Sequence, residues 1–255
     1  MSDLVDLRGV LASWPYDPEH DARFARGSDG REILQVRTPL GLEQYELEGR
    51  PDGLRPHGMV SALEFHFQRL AQAKIAGGEA SFTLSPADCA ELFNEGTLYY
   101  YRYFHLFQLK DWLRTARDTA RNLQLFDFVH RHAGRVEDQD YLEKWRPYLV
   151  RMHAVASAMM ALDKGAHDEA LNLVNTAANL IGTLEELDDE TFKFERERSG
   201  LALRELAQQI QKNRPVSAVE TLERQLRRAI ESQAFERAAE LRDRIRELKA
   251  RVATK

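Results

Sequence analysis

At 255 residues the chain is long enough for one large domain or two smaller ones, and 43 % apolar with 30 % charged residues describe a globular protein with a well-wetted surface. The 36 basic and 41 acidic side chains leave a formal charge of −5, which argues against a protein that coats nucleic acid or an anionic membrane over its whole surface. Cys89 is the single cysteine, so an intramolecular disulfide and a multi-cysteine zinc site are excluded; with no basic leader and no apolar run of about 18 residues, the expected location is the cytoplasm.

In chain order, residues 1–58 hold five of the eight prolines and little helical periodicity, and read as a β-hairpin and loop region. Ile33, Leu34 and Val36 lead into Thr38-Pro39-Leu40-Gly41, a turn, and Glu43 to Leu47 alternates on the far side. The segment 49–58, GRPDGLRPHG, demands a loop. Residues 59–213 read as a helical body. Val60, Leu63, Phe67, Leu70 and Lys74 form one helical stripe ending near Gly77-Gly78. Ser85-Pro86-Ala87-Asp88 is a helix start, with a serine cap, a proline in the first turn and an acid three residues on. An aromatic run, Tyr99 to Phe107, leads to a helix over 113–129. A helix over 138–162 carries Pro147 as a kink or break, 166–181 is bounded by Gly165 and Gly182, and a charged helix over 189–212 stops at Asn213-Arg214-Pro215. The unit 148–182 is close to the tetratricopeptide period of about 34 residues. Ala158, Ala170, Val174 and Ala177 fall at its small positions, so the middle region reads as tetratricopeptide-like helical hairpins.

Residues 217–255 carry the most specific pattern. Val219, Leu222, Leu226 and Ala229 step by three and four, as do Ala238, Leu241, Ile245, Leu248 and Val252. The four residues Ser232 to Phe235 can only reverse the chain, so the two seams face each other in an antiparallel helical hairpin. A hairpin of under about 40 residues cannot cover its own seam, and something else must. The run LERQLRRAIESQAFERAAELRDRIREL resembles the UVR motif, the hairpin shared by the UvrB and UvrC subunits of nucleotide excision repair, the ClpC chaperone and its regulator McsA. The resemblance rests on Leu222, Leu226, Ala229, Ile230, Phe235, Glu236, Ala238, Ala239, Leu241, Arg242, Asp243, Ile245 and Leu248. It implies a homodimer or docking to another UVR-bearing protein. Phe235 is expected to plug the end of the hairpin, and Arg242 with Asp243 to fix register. No G-x-x-x-x-G-K-[ST] occurs, so no nucleotide motor accompanies the motif, and a lone cysteine cannot reproduce the zinc-binding pairs of McsA.

Other candidates read more simply. His130, His132 and His153 are expected at the surface or in packing, Cys89 as a small buried hydrophobe, and the aromatic run as core with at least one tyrosine exposed. Arg114, Arg117 and Arg121 form a basic stripe, either a solvated face or a contact for phosphates or an acidic partner. The fold class is mainly α. The expected function is a non-enzymatic bacterial adaptor or scaffold. Leu222, Leu226, Ile230, Phe235, Ala238, Leu241, Arg242, Asp243, Ile245 and Leu248 contact a protein partner or second copy, without cofactor, metal or membrane, and with nucleic acid only indirectly. Two alternatives are an accessory factor in nucleotide excision repair and an enzyme with a site in 31–75, where Arg50, Asp52, Arg55, His57 and His66 cluster in sequence.

Overall fold

A computed structural model describes residues 6–78, 81–215 and 218–253. The chain divides into two compact units, Met1–Gln209 and Ile210–Lys255. No described helix is long and apolar enough to cross a membrane.

The first unit opens with a short helix, α1 (Arg8–Ser13), and an antiparallel sheet in the order β1 (Ala22–Arg26), β2 (Glu32–Thr38), β3 (Gly41–Glu46). The expected β2–β3 hairpin forms around Pro39-Leu40, with Thr38 opposite Gly41. Strand β1 was not expected: ARFAR lacks an apolar alternation, and its pairing of Ala22 with Val36 comes from the neighbouring strand rather than from its own side chains. Leu34 and Val36 share a face with Tyr45 and Leu47, and that face is buried against Leu106. Arg37 is buried on β2, where Nε donates to the Trp14 carbonyl at 2.8 Å and Nη1 to those of Gly41 and Thr38.

The helical part comprises α2 (Ala62–Ile75), α3 (Pro86–Gln108), α4 (Trp112–His132), α5 (Val136–Tyr141), α6 (Arg146–Asp163), α7 (His167–Thr183) and α8 (Glu190–Asn213). Helix α3 starts as expected: the Ser85 hydroxyl accepts from the Asp88 amide and the Asp88 carboxylate accepts from the Ser85 amide, a complete capping box. Helices α3, α4, α6 and α7 pack in succession, and Leu92, Leu125, Phe128, Val129, Leu149 and Met152 fill the core between them. Ala158, Ala170, Val174 and Ala177 are buried, as their small size suggested.

Three expectations are corrected or sharpened. Val60 precedes α2 and is half exposed, because Ser61 takes the cap position and starts the stripe one turn later. Of the kink or break expected at Pro147 the structure has the break: the 138–162 segment is two helices, a 3-10 turn at Glu143–Trp145 separates α5 from α6, and Pro147 lies in the first turn of α6, where its missing N–H costs nothing. The Arg114, Arg117 and Arg121 stripe is neither solvated nor free for phosphates. Arg114 bonds Glu32 at 3.0 Å, Arg117 bonds Glu48 at 2.8 Å and the Leu47 carbonyl at 2.6 Å, and Arg121 pairs with Glu95.

The sheet is therefore held to the helices by charge. Arg102 on α3, 1 % exposed, donates from Nε and Nη2 to Asp118 on α4 at 2.6 and 2.9 Å, and from Nη1 to the carbonyls of Glu46 and Gly49 at 2.7 and 2.9 Å. Glu95, fully buried on α3, accepts from the Ala62 and Leu63 amides at 2.7 and 3.0 Å and so caps α2 from another helix.

The second unit contains a helical hairpin, α9 (Ala218–Glu231) and α10 (Phe235–Ala253), joined by Ser232, Gln233 and Ala234.

Candidate functional site

The reversal between α9 and α10 is a Schellman motif. The Ala234 amide donates to the Ala229 carbonyl at 2.8 Å and the Gln233 amide to that of Ile230 at 3.0 Å, with Gln233 at φ 57°. Glycine usually takes that left-handed position, so the turn carries backbone strain that its hydrogen bonds offset. The motif also sets the register: Ala229 at the end of α9 meets Ala238 one turn into α10, and the small pair lets the helices approach closely.

The hairpin core is thin. Ala229, Ala238 and Leu241 form its buried cluster, with Leu222 and Leu226 half-buried against it; Ile245 is buried and Leu248 half-buried. Val219 and Val252 lie outside the described side chains. The two remaining apolar candidates behave otherwise. Phe235 opens α10 as expected, yet its ring is 69 % exposed and does not plug the hairpin, while Ile230 is 53 % exposed at the end of α9. The buried cluster at this end is made of Ala229, Ala238 and Leu241, and Phe235 is not part of it. Arg242 and Asp243 are exposed and bond each other at 3.1 Å along their own helix. The outcome is a folded hairpin whose largest side chain and a branched aliphatic neighbour in sequence stay in water. A sequence pattern finds the seam by its period, but not which apolar residues stay outside it.

Residues 217–251 match the family model for the UvrB/uvrC motif. The match falls on α9, the Schellman turn and α10, and covers every position on which the resemblance was read. No curated protein and no solved structure matches the chain.

The cluster considered for an enzyme is tied down on two carboxylates of α3, Glu91 and Glu95. Arg50 bonds Asp52 at 3.0 Å and Glu95 at 3.3 Å. His57 bonds Glu91 at 3.0 Å and stacks on Phe65, with ring centroids 3.9 Å apart. His66 is fully buried; its Nδ1 accepts from Arg69 at 3.0 Å, and Nε2 lies 3.4 Å from Glu91 outside hydrogen-bonding geometry. Burial holds the His66 imidazole below its ordinary pKa, so the neutral ring is favoured. Arg55 alone of the five faces the nearby cavity of about 450 Å³.

The other candidates settle into packing. Cys89 is buried, and burial pushes its thiol up to about 11. His132 packs its ring against Phe82 and Phe128, and the His153 Nδ1 lies 3.1 Å from the Thr119 hydroxyl. Tyr99 and Tyr103 are buried, whereas Tyr100, Tyr101 and Phe104 are exposed, which divides the aromatic run between core and surface. Among the described residues, no group of three or more His, Cys, Asp or Glu side chains is arranged to hold a metal ion.

Proposed function

We propose that this chain is a non-enzymatic bacterial adaptor whose C-terminal hairpin pairs with a second UVR hairpin, carried by another copy or by another protein. The exposure of Phe235 and Ile230 beside a thin hairpin core carries this reading. Exposed aromatic and aliphatic side chains act as anchors when a partner covers them, and these two lie within the residues that match the UvrB/uvrC motif. Leu222, Leu226 and Leu248, half-buried along the hairpin, extend the contact, and Arg242 with Asp243 supplies polar groups at its rim. The helical body, with its tetratricopeptide-like hairpins, acts as the scaffold that the hairpin delivers.

The engagement of Arg50, His57 and His66 with Glu91 and Glu95 supports a structural rather than catalytic role for the 31–75 region. The match to a motif described by UvrB and UvrC favours one setting, an accessory role in nucleotide excision repair in the bacterial cytoplasm.

The test is affinity capture with the full chain as prey and either a tagged second copy or UvrB as bait. Retention by at least one bait is expected, together with loss on combining Ile230→Asp and Phe235→Asp. Covering both side chains contributes about 3 kcal/mol, so the loss is on the order of a hundredfold in affinity. Both positions are exposed, so the variant keeps its helicity. Retention by neither bait, or capture unaffected by the double substitution, would overturn the proposal.

A further inference from the structure

The face of the hairpin that carries its exposed apolar pair also carries a charge of one sign. In an antiparallel pair of helices, the positions one step beyond the seam residues fall on the same broad face of both helices. On α9 that stripe is Glu223, Arg227 and Ile230; on α10 it is Phe235, Ala239, Arg242 and Arg246, again spaced by three and four. The face therefore has two parts. Ile230 and Phe235 lie at the closed end, and Arg227, Arg242 and Arg246, all exposed, lie toward the open end against one acid, Glu223. Glu220 and Lys249 extend the two stripes and cancel in charge. Asp243 bonds Arg242 at 3.1 Å, but its position is a further step round the helix, away from the seam. The other shoulder of α10 has no such excess, since Arg237 and Arg244 alternate with Glu240 and Glu247.

That sign chooses between a second copy and a different protein. A second copy would present the same face, and in a two-fold contact each patch meets its own equivalent. With closed end on closed end, the three arginines of one copy meet the three of the other. With closed end on open end, they meet Ile230 and Phe235, an aromatic face but no carboxylate. In either arrangement six guanidiniums share two Glu223 carboxylates, and like charges brought together oppose association. A guanidinium instead pairs in fork geometry with a carboxylate, and an apolar residue of the same partner covers Ile230 and Phe235. We infer that the hairpin docks an acidic amphipathic helix of another protein, with carboxylates on Arg227, Arg242 and Arg246, rather than a second copy of this chain. The inference rests on the docking role proposed above and names the partner's chemistry.

A charge-reversed copy of the full chain, with Glu223→Arg, Arg227→Glu, Arg242→Glu and Arg246→Glu, serves as the acidic probe, because its apolar residues are unchanged. Fluorescence anisotropy of labelled native chain, titrated with native or with reversed chain, reads the pairing. The reversed copy should bind about tenfold more tightly than the native one, and lose most of that advantage in about 0.5 M salt. Self-association of the neutral variant, Arg227→Gln, Arg242→Gln and Arg246→Gln, should exceed that of the native chain, a comparison independent of how well the reversed copy folds. Native chains that pair with one another as tightly as with the reversed copy, or neutralisation without gain, would overturn the inference. So would binding of a DNA duplex of about 20 base pairs that the neutral variant loses, which gives the arginines to phosphates. Adding Ile230→Asp and Phe235→Asp to the labelled chain separates this inference from the reading beneath it. Binding to the reversed copy that survives the addition overturns the docking face itself, whereas tight native self-association that the addition abolishes keeps the face and overturns only the acidic partner.

Discussion

Replacing Arg102 by methionine should be among the most damaging single changes in the first unit. The aliphatic stem is preserved, so packing changes little, but every polar contact of the guanidinium is lost: two hydrogen bonds to Asp118 and one each to the carbonyls of Glu46 and Gly49. Asp118, 1 % exposed, is left with Arg117 at 3.0 Å as its remaining cation, and the two carbonyls lose a donor at the junction of sheet and helices. Breaking a buried pair from one side costs about 3–5 kcal/mol, and the residual Arg117 contact moves the value toward about 4 kcal/mol. That is a large fraction of the 5–15 kcal/mol (roughly) by which a domain is stable, and for a unit of this size it lowers Tm by about 8–16 °C. Urea unfolding followed by far-ultraviolet circular dichroism measures the loss. A companion variant, Arg102→Met with Asp118→Leu, removes the stranded charge and should recover a substantial part of it. A single-variant cost below about 1 kcal/mol, or a double variant no better than Arg102→Met, would refute the reasoning that this buried pair fastens the sheet to the helices.

Three further outcomes follow from the same geometry. Cys89, buried with its thiol pushed up to about 11, should resist Ellman's reagent at neutral pH in the folded protein and react fully in denaturant; rapid native labelling would contradict its burial. His66 and His153 are both held below the ordinary value of 6.5, chiefly by burial, so between their folded values and 6.5 the unfolded chain binds more protons. Their contribution is complete above 6.5 and declines as pH falls below it; His66→Gln should flatten that acid slope, and an unchanged slope would count against neutral burial. Gln233→Gly removes the left-handed strain from the Schellman turn and should stabilise the hairpin by about 0.5–1 kcal/mol in thermal melts of helicity, whereas destabilisation would show that the Gln233 side chain matters in its own right.

What could be read from residue order was whatever local chemistry writes locally. The Ser85–Asp88 capping box, the Pro39-Leu40 turn and the two facing seams each depend on neighbours a few residues apart, and each forms. Strand β1 escaped notice because its ladder partner, not its composition, makes it a strand. Glu95 capping α2, Arg102 bonding Asp118, and the Arg114 to Arg121 stripe closing onto Glu32, Glu48 and Glu95 all join groups far apart in sequence. A charged residue carries no periodic mark of whether its partner is water or a distant carboxylate. The hairpin illustrates both sides: the period located Leu241 and Ile245 in the seam, while Phe235 and Ile230, apolar at helical spacing from it, stay outside.

The central claim is that α9 and α10 form the surface on which a partner docks. Hydrogen exchange on the full chain, dilute and then saturated with the bait that retains it, tests this directly. The account predicts slowed exchange concentrated in residues 218–253, lost together with binding in the Ile230→Asp, Phe235→Asp variant. Protection confined to the helical body, or a bound state in which 218–253 exchanges as in the free chain, would contradict it.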